Sequence, residues 1–333
     1  MWVGARGAEG VLEEPTNPAM MEPVTSRPRP ALDRRPLDPA VLHASLLPPA
    51  GPLHHLEVRG EDPSTNTSLV AAAMAQPGTW RAPSVLVADH QVAGRGRLGR
   101  VWRTPAGAAL TMSVLLAPRA RPLTWVPLLT GLVVSSVVRE TTGLDAGVKW
   151  PNDVLVAVPG APSLPVVGTR RKVAGILAEV TPAGDVVVGV GLNVLQGPTE
   201  LPVETAASLA SALAAGREAG ADVAAQAPTR EELASAIVSR LVVTIARWDA
   251  AADLDGAEPI VSSGLLAEVE PCLVTIGSHV RAELTDGAAV MGRAVGLAPD
   301  GALLVETEDG TRTEVRSGDV HHLRTSTGRE PAP

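Results

Sequence analysis

The chain has no phenylalanine, no tyrosine, one cysteine, four asparagines and only two lysines among its 28 basic residues. A single cysteine, Cys272, excludes an internal disulfide framework and suits a reducing compartment. No G-x-x-x-x-G-K-[ST] segment occurs, so a P-loop is excluded. No basic-then-apolar leader opens the chain, because Glu9, Glu13 and Glu14 interrupt it. The longest apolar stretch, Trp125–Val138, is too short for a bilayer and contains Thr130, Ser135 and Ser136. With a net charge of −8 there is no global electrostatic case for nucleic acid. These absences predict a cytoplasmic enzyme that binds neither DNA nor membrane.

The scarcity of lysine carries more information. The chain writes arginine almost wherever a cation serves, so a retained lysine marks chemistry that a guanidinium cannot perform. Both lysines, Lys149 and Lys172, lie inside the short motifs described below, as do three of the four asparagines, Asn66, Asn152 and Asn193.

Residues 1–50 are expected to be a poorly structured tail, rich in Pro, Arg and Glu at first, with room for one short helix over Leu37–Leu47. That is too little for a helix-turn-helix. Residues 51–262 alternate between strand and helix patterns and read as the main domain. Ser84–Asp89, Leu110–Ala117, Val154–Val158, Lys172–Val180 and Asp185–Val194 have strand character, the last almost wholly apolar and so central in a sheet. Pro127–Thr142 reads as a buried helix stopped by Gly143, and Thr229-Arg-Glu-Glu232 as a capping box opening a helix to about Ala250. Asp-Gly pairs at 286–287, 300–301 and 309–310 predict hairpins, hence a small antiparallel barrel over residues 268–326, with 327–333 as a tail. The fold class is α+β: a mixed central sheet with flanking helices plus a small C-terminal β-barrel.

Gly94-Arg-Gly-Arg-Leu-Gly-Arg100 formally matches the dinucleotide fingerprint, but Pro105 and Gly107 follow where a helix should, and no acidic residue stands some 20 positions on. What remains is a glycine-rich loop of arginines, either an anion site or a solvated basic loop. Lys149-Trp-Pro-Asn-Asp153 ends a strand, since Pro151 blocks ladder pairing; an ordinary Asn-Asp turn reads the same way. Lys172-Val-Ala-Gly-Ile-Leu-Ala-Glu179 places a lysine at the start of an apolar strand thinned by Gly175, and a solvated strand end is the bland alternative. In Gly189-Val-Gly-Leu-Asn193 the glycines suggest close approach or a bulge. Ser64-Thr-Asn66 precedes an alanine-rich helix and is consistent with plain N-capping. His54–His55 and His321–His322 lack further ligands at zinc spacing and read as surface residues.

Taken in order, Ser64-Thr65-Asn66, Gln91 with the arginine-glycine loop and Trp102, Lys149-Trp-Pro-Asn-Asp153, Lys172-x-x-Gly-Ile-Leu-x-Glu179 and Gly189-x-Gly-x-Asn193 closely resemble biotin–protein ligases. Gly318-Asp-Val-His-His-Leu-Arg324 resembles the end of that family's C-terminal domain. Two departures stand out: Ala174 replaces a second glycine, and residues 157–171 form a longer insertion. The resemblance implies a class II synthetase-like catalytic fold with a C-terminal SH3-like barrel. It also implies ATP-dependent, Mg²⁺-dependent activation of biotin to biotinyl-5′-AMP, then transfer to a lysine of a biotin carboxyl carrier protein. A lipoate–protein ligase and a biotin-responsive repressor are the alternatives.

By motif position the resemblance assigns biotin to Ser64, Thr65, Asn66, Gln91, Gly94, Arg95, Arg97, Lys172, Gly175, Gly189 and Gly191. ATP is assigned to Arg97, Arg100, Trp102, Lys149, Asn152, Asp153, Lys172 and Asn193. Lys172, Arg97 and Asp153 are the expected catalytic residues, with Asp153 as the candidate base, and Mg²⁺ is expected to be held mainly by the phosphates of ATP.

Overall fold

The computed structural model describes residues 34–164, 167–254, 258–284, 288–316 and 318–322. The Asp286–Gly287 turn, Leu323–Arg324 and the tail 327–333 lie outside them.

Two sheets organise the described residues. The larger has seven strands: β1 (His55–Asp62), β2 (Ser84–Gln91), β3 (Ala109–Leu116), β4 (Ala146–Lys149), β5 (Asp153–Ala157), β6 (Arg170–Val180) and β7 (Val186–Asn193). Their order is β1-β2-β3-β7-β6-β5-β4, with β1 parallel to β2 and every other pairing antiparallel. The expected central strand is β7, fourth of seven. Its neighbour β3 is buried along its whole length, as a strand covered on both faces must be. β1 escaped the sequence reading, because His-Leu-Glu-Val-Arg-Gly-Glu-Asp is half charged; the strand expected to end at the Lys149 motif is β4, only four residues long.

The helices are α1 (Pro39–Leu46), α2 (Thr65–Ala75), α3 (Trp125–Thr142), α4 (Leu209–Glu218), α5 (Arg230–Ala251), α6 (Pro259–Ser262) and α7 (Leu265–Cys272). α3 is apolar nearly all round and correspondingly buried, and Gly143 ends it at φ 72° with its N–H on Arg139 O. The Thr229–Glu232 capping box forms as predicted, with Glu232 N donating to Thr229 Oγ1 and Thr229 N to Glu232 Oε2. No helix among the described residues is long and apolar enough to cross a membrane.

Residues 34–50 correct the expectation of a poorly structured tail. The short helix forms within that segment as α1, and Leu37, Leu42 and Leu46 are buried in the main core. Leu37 N donates to Asp89 Oδ1 at 3.0 Å, and Arg230 Nη2 donates to Arg35 O at 2.6 Å. Three leucines spaced for one buried face outweigh the local proline content.

The smaller sheet is antiparallel, in the order β11-β10-β9-β8-β12, from β8 (His279–Glu283), β9 (Ala289–Leu297), β10 (Leu303–Glu306), β11 (Arg312–Val315) and β12 (Asp319–His322). Gly301 (φ 80°) and Gly310 (φ 82°) occupy the turns flanking β10, so two of the Asp-Gly signals mark hairpins. This sheet does not pack as a separate body: Val280, Leu303, Val305 and Val320 belong to the same apolar cluster as α3 and β4.

Trp150, in the turn between β4 and β5, fastens the two sheets together. Its backbone N donates to Thr275 Oγ1 at 2.9 Å and its indole Nε1 to Gly301 O at 3.0 Å, with the side chain 3% exposed. Trp150→Phe leaves that carbonyl buried without its donor, and should cost about 1–3 kcal/mol in equilibrium denaturation. A loss below about 0.5 kcal/mol, within the range of inconsequential substitutions, would remove this fastening role.

Candidate active site

The five motifs converge on one cavity of about 710 Å³ at the face of the larger sheet. Its floor begins at the end of β1. Asp62, 1% exposed, accepts from Ser64 N (2.8 Å), Ser68 Oγ (2.9 Å) and Arg59 Nη1 (2.6 Å), which fixes the entry to α2. Ser64 holds the N-cap position, yet its side chain makes no capping bond, so plain N-capping does not account for this motif. Thr65 donates from both N and Oγ1 to Gln91 Oε1 (2.8 and 3.0 Å). Asn66 Nδ2 donates to Leu177 O and Glu179 Oε1, both at 3.0 Å, while Ser113 Oγ lies 2.6 Å from its Oδ1. Gly189 makes this possible: a Cβ there would sit 2.2 Å from Asn66 Oδ1. The two glycines of the β7 motif thus serve close approach.

The arginine loop folds over this floor as a tight hairpin. Arg95 bridges Val101, Gly96 N donates to Arg100 O (2.7 Å) and Trp102 N to Gly94 O (2.9 Å). Leu98 at its tip has φ 55°, followed by Gly99 at φ 73°, two consecutive left-handed residues that close the bend. Gly94 is buried and does not line the cavity; a Cβ there would meet Trp102 O at 2.5 Å. Gly94, expected as a biotin contact, here lets the Trp102 backbone approach closely. Arg95 lines the cavity, but its guanidinium is engaged: Nη2 donates to both carboxylate oxygens of Glu179, at 2.8 and 2.9 Å. Arg97 Nη1 donates to Asn152 Oδ1 (3.2 Å), and Asn152 Nδ2 to Ile176 O (2.9 Å).

Trp102 lies against bare backbone. A Cβ on Gly191 would fall 2.6 Å from its ring, and one on Gly175 would fall 3.2 Å from it and 3.3 Å from Lys172 Nζ. The indole Nε1 is buried without a hydrogen-bond partner among the described residues.

Lys172 is held from two sides. Its N donates to Thr205 O (2.7 Å) and its O accepts from Ala207 N (2.9 Å), so the loop after β7 lies beside its backbone. Its Nζ is 2.6 Å from Asp153 Oδ1 and 5.8 Å from the Trp102 ring centre. The β5–β6 register shifts between Val154 and Leu155, the kind of irregularity that re-aims side chains. Arg171, immediately before it, is 5% exposed and donates to the carbonyls of Pro162, Gly168 and Arg170; burial lowers its pKa below the ordinary value. The two neighbours thus have different work: Arg171 staples the insertion, and Lys172 faces the cavity.

Ser64, Thr65, Asn66, Gln91, Arg95, Arg97, Arg100, Trp102, Lys149, Asn152, Asp153, Lys172, Gly175, Gly189, Gly191 and Asn193 all line this cavity. The sequence reading missed Pro202, Val203, Thr205 and Ala206, which carry no motif, and gave no role to His321, which reaches the wall from the smaller sheet. A signal existed for Ser113, which with Thr111 is polar in a strand otherwise apolar and buried. Glu179 stood within a quoted motif, but its double pairing depends on contacts 84 and 113 residues away.

A rim of arginines, a floor of carboxamides and hydroxyls, and a lysine–carboxylate pair at the centre can hold two anionic groups together. Cys272 offers no nucleophile, since burial pushes its thiol up to about 11.

Residues 61–193 match the Biotin/lipoate A/B protein ligase family, and residues 275–323 match the Biotin protein ligase C terminal domain. The chain is 34% identical over 297 residues to the biotin–[acetyl-CoA-carboxylase] ligase of Mycobacterium tuberculosis, covering 87% of this chain and 97% of that protein. It belongs to the biotin–protein ligase family. A further member, the bifunctional ligase/repressor BirA of Bacillus subtilis, is 30% identical over 244 residues, 71% of this chain and 65% of that one. Among solved structures, the Aquifex aeolicus biotin protein ligase in complex with biotin and ATP superposes with a TM-score of 0.59 at 28% identity, over 82% of this chain and 99% of that one. The first family match spans all five ligase motifs, from Ser64 to Asn193.

Proposed function

We propose that this ATP-dependent biotin–protein ligase converts biotin and ATP to biotinyl-5′-AMP and pyrophosphate in the cytoplasm. It then joins the biotinyl group to a lysine of a biotin carboxyl carrier protein. The observation that carries this reading is Lys172 Nζ, 2.6 Å from Asp153 and beside bare Gly175, in the lining of a cavity that also carries Arg95, Arg97 and Arg100.

In the first step a biotin carboxylate oxygen attacks the α-phosphorus and the bond to pyrophosphate breaks. Two anions must be brought together, so positioning and charge neutralisation do most of the catalysis. Ser64, Thr65, Gln91 and Asn66 hold biotin, with Asn66 kept in place by Glu179 and Ser113. Arg95 acts through Glu179 to keep the hairpin down, and Arg97 and Arg100 face the phosphates. The Trp102 ring and the Lys149, Asn152 and Asn193 side chains meet the nucleotide. Lys172 stands between carboxylate and α-phosphate. Mg²⁺ would enter with the triphosphate, and Asn152, Asp153 and Asn193 offer the oxygen donors that this cation takes.

In the second step the acceptor amine attacks the acyl carbon, AMP leaves, and the amine proton passes to Asp153. Biotin-dependent exchange of pyrophosphate into ATP by the purified chain tests the reading; exchange supported by lipoate and not by biotin overturns it.

Arg97 bridges the hairpin to Asn152 and so closes the cavity over the adenylate. Arg97→Gly is expected to raise the rate of adenylate release at least about tenfold, the loss of one charge-assisted bond. Rapid gel filtration of pre-formed adenylate measures it, and a wild-type rate would remove this role.

A further inference from the structure

Residues 34–47 lie before the region matched to the ligase family, which begins at residue 61. Nothing in the motif reading gives them a part in the site, yet one of them grips a loop of the cavity wall. Arg34 Nη1 donates to Glu200 Oε1 at 2.9 Å, Nη2 reaches Glu200 Oε2, and Nη2 also donates to Leu195 O at 3.2 Å. Glu200 in turn accepts from Gly197 N at 2.8 Å. A single guanidinium therefore spans both ends of the turn that begins the loop between β7 and α4.

That loop connects directly to the site. Gln196, 2% exposed, donates from Nε2 to Asn193 Oδ1 at 2.7 Å, and Ser208 Oγ donates to Gln196 O at 2.6 Å. Beyond the turn, Pro202, Val203, Thr205 and Ala206 line the cavity, and Thr205 O accepts from the backbone of Lys172. Val203 is nevertheless 57% exposed, so little apolar packing restrains this stretch.

The strap itself is firmly fixed. Asp38 N donates to Glu231 Oε1 (3.0 Å), and Asp89, which takes Leu37 N, pairs at 2.7 Å with Arg230, 4% exposed. Gly107 allows the strap to pass, because a Cβ there would lie 2.8 Å from Arg34 O. Arg34 thus ties the first turn of this loop, residues 195–200, to the core, while Lys172 anchors its far end.

We propose that Arg34 is a positioning residue for the nucleotide, holding the 195–206 loop in the shape that receives ATP. The proposal rests on the ligase reading above for the identity of that ligand. The contact withstands ordinary conditions: Arg34 and the Gly197 amide hold the Glu200 carboxyl down at about 2. A depressed carboxylate contributes above its ordinary value, and the contribution fades as pH falls from there towards 2. Without Arg34 the loop samples more conformations, and the apparent affinity for ATP falls by the fraction that remains competent. Biotin's proposed contacts, Ser64, Thr65, Asn66 and Gln91, are not on that loop.

The test uses the full chain and pyrophosphate exchange. Arg34→Ala should raise the KM for ATP about tenfold, with kcat and the KM for biotin within about twofold of wild type. Arg34→Lys, which keeps the charge and one donor, should recover most of that loss. Amide hydrogen exchange of residues 197–207 without ligands should accelerate in Arg34→Ala and largely recover in Arg34→Lys. An ATP KM within twofold of wild type overturns the proposal. So does a parallel rise of both KM values, or a fall in kcat alone, since a general loss of fold would produce the first and a chemical role the second. If the wild-type chain shows no biotin-dependent exchange, the ligase reading fails instead, and the amide exchange still decides whether Arg34 orders the loop.

Discussion

Lys172→Arg is expected to keep the fold and most biotin binding while lowering pyrophosphate exchange by at least about a hundredfold, the scale lost with one preorganised charge-stabilising group. The space around Nζ sets the reason. It sits 2.6 Å from Asp153 and 5.8 Å from the Trp102 ring centre, and even a single added carbon on Gly175 would approach it to 3.3 Å. A planar guanidinium in that slot would displace the indole or separate the carboxylate from the α-phosphate, whereas a compact ammonium fits between them. Generic positive charge is not the issue, since Arg170 and Arg171 precede it. Those arginines are engaged with Asp145 and with backbone carbonyls, so neither substitutes for Nζ. Exchange within about threefold of wild type would mean that Lys172 is only a charged strand end, and the central step would need another residue.

Gly189→Ala should weaken biotin binding by roughly 10- to 100-fold, the range of one to two lost hydrogen bonds. The new methyl would lie 2.2 Å from Asn66 Oδ1. Asn66 cannot swing away freely, because Leu177 O, Glu179 and Ser113 hold both ends of its carboxamide. The substitution therefore breaks that network or bends β7 at the middle of the sheet. Calorimetric titration with biotin, beside a thermal melt, separates the two outcomes. Unchanged affinity would show that the Asn66 network does not hold biotin, and a large drop in Tm with it would place the damage in the sheet.

Much of the architecture was legible because periodicity and turn chemistry are local. The apolar run of β7, the all-round burial of α3, the αL stop at Gly143 and the Thr229–Glu232 box each follow from a few adjacent residues. β1 was illegible, since charge at Glu57, Arg59, Glu61 and Asp62 masks a strand whose partner alone makes it one. The N-terminal segment misled for a related reason. Composition read Pro- and Arg-rich sequence as tail, while α1, with buried Leu42 and Leu46, packs against α5 and β1 only once those elements exist.

The site divides in the same way. By itself the sequence determined which residue types meet: an arginine hairpin, scarce lysines and asparagines, and glycines wherever a side chain would intrude. Ordered motifs survive in the chain as identities, and identities need no geometry to be read. Only the tertiary structure decided what each residue touches. It turned Arg95 onto Glu179, took Gly94 out of the cavity wall, brought His321 into it from the smaller sheet, and set Arg34 against Glu200 across 166 residues. Such pairings depend on sheet order and loop path, which are fixed by the packing of the whole chain rather than by any local run of residues.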